Sequence, residues 1–123
     1  MDNFSNEAYY LFFSALANRA NLAIIDSLRE KPKTVSEISK ELNQEKKVIS
    51  SHIEQLAHCA ILLSDKSGRE KRYSLNLEII EPLSEILKFH TSKYCPGQTE
   101  CIPPEKLKDY LKKEAQKETY VEH

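Results

Sequence analysis

A chain of 123 residues suits one domain with a single core, yet it is tight on surface-to-volume grounds, so pairing with a second copy would add stability. Hydrophobic residues make up 40% and charged residues 30%, an ordinary balance, and no apolar run approaches the roughly 18 residues that span a membrane. The formal net charge of -1 excludes a strongly basic polyanion binder and puts the weight on how charge is distributed. Residues 33–76 carry eight Lys or Arg against six Asp or Glu, and residues 77–123 carry seven against nine. Attraction to any polyanion should therefore be modest and sensitive to salt. The acidic start Met1-Asp2-Asn3 has no basic leader region, and three cysteines without a leader suit a reducing compartment, with the cytoplasm as the default.

From Asn3 to Ala17 the chain is aromatic-rich, with Phe4, Tyr9, Tyr10, Leu11, Phe12, Phe13 and Leu16 spread over more than one face of an expected helix capped by Asn3 or Ser5. Such a helix needs partners on two sides, its own domain on one and a second subunit on the other. Asn18 is a good cap for a helix from Arg19 to about Glu30, in which Leu22, Ile25 and Leu28 at helical spacing are expected core, and Lys31-Pro32-Lys33 stops it. Thr34 with Glu37 three residues on forms a capping box, and Val35, Ile38 and Leu42 fall on one helical face before Asn43, a residue able to take the left-handed conformation. After a turn of about three residues, Glu45 to Cys59 places Val48, Ile49, Ile53 and Leu56 on an apolar stripe. Opposite it stand Lys46, Lys47, Ser50, Ser51, Glu54, Gln55 and His58, a face suited to a major groove, where Gln55 could pair with an adenine edge.

Ile61-Leu62-Leu63 and Arg72-Tyr73-Ser74-Leu75 read as two strands around Asp65-Lys66-Ser67-Gly68-Arg69. Gly68 permits a positive φ in that turn. Arg69, Lys71 and Arg72 put cations at its tip and edge, within reach of a minor groove or phosphate. Leu77 to about Tyr94 makes a long helix with Ile79, Ile80, Leu83, Ile86, Leu87 and Phe89 over a broad apolar surface, and Pro82 is tolerated best if the helix starts near Glu78. Cys95-Pro96-Gly97-Gln98 reads as a turn, and Pro103-Pro104 opens an accessory helix from Glu105 to about Lys117. The fold class is thus mainly α with a small two-stranded β wing. Residues 1–94 form a winged helix-turn-helix with its dimerisation helices, and residues 95–123 are a turn and accessory helix.

Leu16-Ala17-Asn18-Arg19, the helix pair, the run from Val48 to Leu56, and Gly68-Arg69 followed by Arg72-Tyr73-Ser74-Leu75 together resemble the ArsR/SmtB family of dimeric transcriptional repressors over roughly residues 8 to 94. The chain departs from that pattern with Ala60 in place of a helix-ending glycine, Glu45 in place of a serine cap and Asn21 in place of an arginine. The resemblance implies a homodimer joined through the first and last helices, with Phe4, Tyr9, Phe12, Phe13, Leu83, Ile86, Leu87 and Phe89 as the expected seam. It also implies double-stranded DNA with two-fold symmetry as the partner. His52 aligns with a histidine of the family's recognition helix, where DNA contact and helix packing are both open.

The expected DNA-binding set is Lys46, Lys47, Ser50, Ser51, His52, Gln55, Arg69, Lys71 and Arg72. Cys95 and Cys101, with His90 upstream, are candidates for a soft metal ion or a reversible disulfide that would act as a switch; the alternative is thiols that simply pack. Metal-sensing relatives carry a Cys-x-Cys pair in the helix before the recognition helix, here Ser36 to Leu42, or Asp and His pairs along the last helix; this chain has neither pattern. Cys59 is expected in the core. With two glycines, no nucleophile elbow and no two-histidine metal helix, catalysis is not expected. The rival reading is a winged-helix protein-interaction module that does not read DNA, favoured by near-neutral charge and by Glu45 and Glu54 on the recognition face.

Overall fold

The computed structural model describes residues 3–94, so the expected turn at Cys95, both cysteines Cys95 and Cys101, and the accessory helix lie outside the described residues. The elements are α1 (Glu7–Leu16), α2 (Arg19–Ser27), α3 (Val35–Leu42), α4 (Lys46–His58), β1 (Leu62–Ser67), β2 (Glu70–Leu75) and α5 (Leu77–Tyr94). By its contacts the chain parts between Glu85 and Ile86, within α5.

Each boundary has a local cause. Asn6, rather than Asn3 or Ser5, caps α1: its side chain accepts from the Ala8 amide at 2.7 Å, while Asn3 accepts from the Ser5 amide and hydroxyl in a turn ahead of the helix. Asn18 caps α2 by accepting from the Asn21 amide at 3.0 Å. That helix ends at Ser27, short of the expected Glu30, with the Ser27 hydroxyl donating to the Ile24 carbonyl. At α3 the capping box is complete: the Glu37 amide donates to the Thr34 hydroxyl at 3.2 Å, and the Thr34 amide donates to the Glu37 carboxylate at 2.8 Å. Asn43 closes α3 at φ 54°, and α4 begins three residues later.

The end of α4 is a Schellman motif built on alanine. Ala60 stands at φ 59°, its amide donates to the Ala57 carbonyl at 3.0 Å, and the Ile61 amide reaches the Leu56 carbonyl at 3.0 Å. Leu56 and Ile61, the two apolar partners of that motif, are both fully buried. Asn76 then ties this corner to α5. Its side-chain amide donates to the Ala60 carbonyl at 2.8 Å, its backbone amide to the Ile61 carbonyl at 2.9 Å, and its Oδ1 accepts from the Glu78 amide at 3.2 Å.

The core gathers Ala15, Ile24, Leu28, Ile38, Ile49, Ile53, Leu56, Ile61 and Leu62, with Tyr73, Leu75 and Ile80 packed on it. Two phases differ from expectation. In α2 the inward residues are Asn21, Ile24 and Ser27, with Leu28 buried at the C-cap as expected, while Leu22 is 49% exposed; in α4 Val48 is 39% exposed beside the buried Ile49, Ile53 and Leu56. Cys59 is half-buried against this core, its thiol 3.7 Å from the Leu11 carbonyl.

The wing is longer than expected. β1 and β2 are antiparallel with Leu62 opposite Leu75, Asp65 opposite Arg72 and Lys66 opposite Lys71, which leaves Gly68 and Arg69 alone as the loop. Gly68 at φ 79° takes the first loop position, where a type II′ turn needs glycine. On its other edge β2 receives Lys33: the Lys33 amide donates to the Tyr73 carbonyl at 3.0 Å and the Tyr73 amide to the Lys33 carbonyl at 2.8 Å. The segment that follows α2 therefore also anchors the wing. Pro82 is the sixth residue of α5 because the helix begins at Leu77, so the Glu78 carbonyl lacks its helical donor.

Candidate nucleic-acid interface

Packing Ile49, Ile53 and Leu56 inward turns the opposite side of α4 to solvent. Lys46, Lys47, Ser51 and Gln55 are exposed, and Ser50 and His52 are half-buried at the margin. Glu45 occupies the N-cap but makes no side-chain cap hydrogen bond, so the first-turn amides receive no acceptor from it. An anion placed there would meet two lysines and the positive end of the helix dipole.

Gln55 and His52 are held from below by Asn21, a fully buried polar residue of α2. The Asn21 side-chain nitrogen donates to the Ala15 carbonyl at 2.8 Å and to the Gln55 Oε1 at 2.9 Å, and its Oδ1 is 2.8 Å from the His52 Nδ1. Apolar periodicity points to Leu22 as the inward residue and carries no signal for this triad, because the His52 and Gln55 partners of Asn21 lie 31 and 34 residues away.

On the wing, Arg69 is exposed at the tip and Lys71 on the strand. Lys66, absent from the expected set, is exposed and registers directly across from Lys71. Like charges directly opposite one another destabilise a ribbon, and an anion beside both would relieve that repulsion. Arg72 is differently placed: its guanidinium donates to the Glu37 carboxylate at 3.1 Å, with both side chains about half exposed. Arg72 thus braces the wing against α3. The hydrogen bond from the Thr34 amide, with Arg72 adding Coulombic attraction, holds the Glu37 carboxyl below the usual glutamate range. A second brace runs from Lys33, whose ammonium meets Glu41 and the Ser27 carbonyl, both at 2.5 Å.

Along α5, His90 is exposed and its ring lies 5.6 Å from that of Tyr94. Its expected companions Cys95 and Cys101 lie outside the described residues. Among the described residues, no helix is long and apolar enough to cross a membrane.

Residues 20–61, from α2 through the end of α4, match the arsR family of bacterial regulatory proteins. No curated protein sequence matches the chain. Among solved structures, the homodimeric winged helix-turn-helix DNA-binding domain from Mycobacterium bovis, described as a possible ArsR-family transcriptional regulator, is similar at TM-score 0.65 and 15% identity; the match covers 83% of this chain and 97% of that one. An ArsR-like transcriptional regulator from Rhodococcus sp. RHA1 is similar at TM-score 0.62 and 19% identity, over 95% and 98% of the two chains. NolR from Sinorhizobium fredii is similar at TM-score 0.56 and 26% identity, over 65% and 84%. The fold is the winged helix-turn-helix of these solved structures, and the match to the arsR family falls on its helix-turn-helix.

Proposed function

From an arsR-type helix-turn-helix carried on a winged-helix body, we propose that the protein is a sequence-specific DNA-binding transcriptional regulator, a repressor that acts as a homodimer in the cytoplasm. Each subunit lays α4 in a major groove with Lys46, Lys47, Ser50, Ser51, His52 and Gln55 toward the DNA. Arg69 and Lys71 meet the flanking backbone, and Lys66 joins them. Arg72 contributes chiefly by holding the wing in place.

The observation that carries the reading is the exposed cationic end of α4 presented with a cation-tipped ribbon by the same compact body. The homodimer is supported by the apolar surface of the terminal helices. On α1, Tyr10 is 63% and Phe13 54% exposed, and α5 buries no residue, with Ile86 60% exposed. The solved domain from Mycobacterium bovis is itself described as homodimeric. We propose further that Cys95 and Cys101, with His90, make the regulator responsive to a soft metal ion or to thiol oxidation.

Electrophoretic mobility shift against fragments of the source genome tests the main reading. A set of fragments should be retained at low salt and released as salt rises. Every duplex left unshifted overturns this reading in favour of a protein-interaction module. Repeating the titration with and without reductant and with zinc, cadmium or copper salts, on wild type and Cys95→Ser/Cys101→Ser, tests the switch; identical curves throughout retire it.

A further inference from the structure

Resting on the reading of α4 as the DNA-reading helix, we propose that Asn21 is a positioning residue that fixes the hydrogen-bond polarity of the recognition face, so that Gln55 offers donors to the groove. Ala15 O is an acceptor and nothing else, and Asn21, fully buried, has its side chain 2.8 Å from it. The amide nitrogen of Asn21 must face that carbonyl, because the reverse orientation would set two acceptors against each other inside the protein.

Everything else follows from that orientation. The second N–H of the same nitrogen points at Gln55, so the Gln55 atom 2.9 Å away is its oxygen and the Gln55 NH₂ is turned away from Asn21. The Asn21 oxygen lies 2.8 Å from His52 Nδ1, so that nitrogen carries the proton and Nε2 of the neutral ring keeps a lone pair. In this arrangement no buried side-chain nitrogen or oxygen among the described residues is left without a partner.

The consequence for recognition is specific. A glutamine reads adenine by using its oxygen and its nitrogen together, one on N6 and one on N7. Here the oxygen is engaged beneath the helix surface. The NH₂ group suits a base edge that only accepts; guanine, with O6 and N7, can take both of its N–H groups where thymine offers O4 alone, and the N4 donor of cytosine conflicts with it. The adenine contact expected from the sequence is thereby replaced by a contact to guanine.

The test is selection from a randomised duplex pool, read at the position whose preference changes in Gln55→Ala. Wild type should prefer guanine to cytosine there by about tenfold, the scale of one good base contact. Gln55→Glu keeps the bond from Asn21 but presents an acceptor, and should move the preference to cytosine. Asn21→Ala should let the Gln55 amide turn and bring adenine up to parity with guanine. Long-range ¹H–¹⁵N correlation on wild type should find the neutral His52 ring protonated at Nδ1, and a shift toward Nε2 protonation in Asn21→Ala. If Asn21→Ala does not fold, the Gln55→Glu selection and the wild-type His52 tautomer decide. Selection of adenine by wild type, an unchanged preference in Gln55→Glu, or Nε2 protonation in wild type overturns the inference. If wild type selects no sequence at all, the DNA-binding reading falls and the inference with it.

Discussion

At the scale of single residues, three positions hold conformations or charges that their side chains do not favour on their own. Ala60 sits at φ 59°, a left-handed conformation that disfavours a residue with a Cβ, and it persists because the Schellman bonds and the Asn76 clamp surround it. Ala60→Gly should raise stability by about 1 kcal/mol, or about 4–8 °C in Tm by calorimetry. Glu45 is a cap residue without a cap bond, and Glu45→Ser should supply one, adding roughly 0.5–1 kcal/mol in denaturant titration. Glu37 joins the capping box to the Arg72 brace, and its lowered pKa sets the sign of its pH dependence. Its stabilising effect is complete above the ordinary glutamate pKa, near 4.3, and is lost as pH falls through the lower folded-state pKa. Glu37→Gln retains the amide contact but loses that acid dependence, so the two urea midpoints should converge as pH is lowered below about 4.

At the scale of elements, the wing depends on its turn and on its two braces. Nothing lies within 4 Å of a Cβ placed on Gly68, so Gly68→Ala should destabilise through backbone conformation alone, by about 1 kcal/mol. The helix-turn-helix was legible in the chain because its signals are local: Thr34 and Glu37 satisfy each other three residues apart, and Asn43 ends α3 by its own backbone preference. The ends of the ribbon were not legible. Residues 65–67 and 70–72 are polar on both faces, so the alternation that marks a half-buried strand is missing there, and pairing extends β1 and β2 nonetheless. The Lys33–Tyr73 bridge left no pattern because a single pair has no period. The phase of α2 was misread for a different reason: apolar periodicity picks Leu22, whereas Asn21 is buried by hydrogen bonds to Ala15, Gln55 and His52, which only the tertiary fold brings near.

At the scale of the whole molecule, the core draws on α2, α3, α4 and the base of the wing, while α1 buries only Ala15 and α5 buries nothing. In the proposed homodimer these exposed apolar faces of α1 and α5 form the seam, so Phe13→Glu should convert a dimer to a monomer in sedimentation velocity while leaving the helical circular dichroism in place. In the proposed function two copies of α4 and its wing together grip the DNA backbone. The dependence of duplex affinity on salt, compared between wild type and Lys47→Ala/Arg69→Ala, reads that grip. If each of these side chains meets one phosphate in each subunit, the slope of log K against log salt falls by roughly 3–4 in the double variant. Equal slopes for the two proteins would contradict the account.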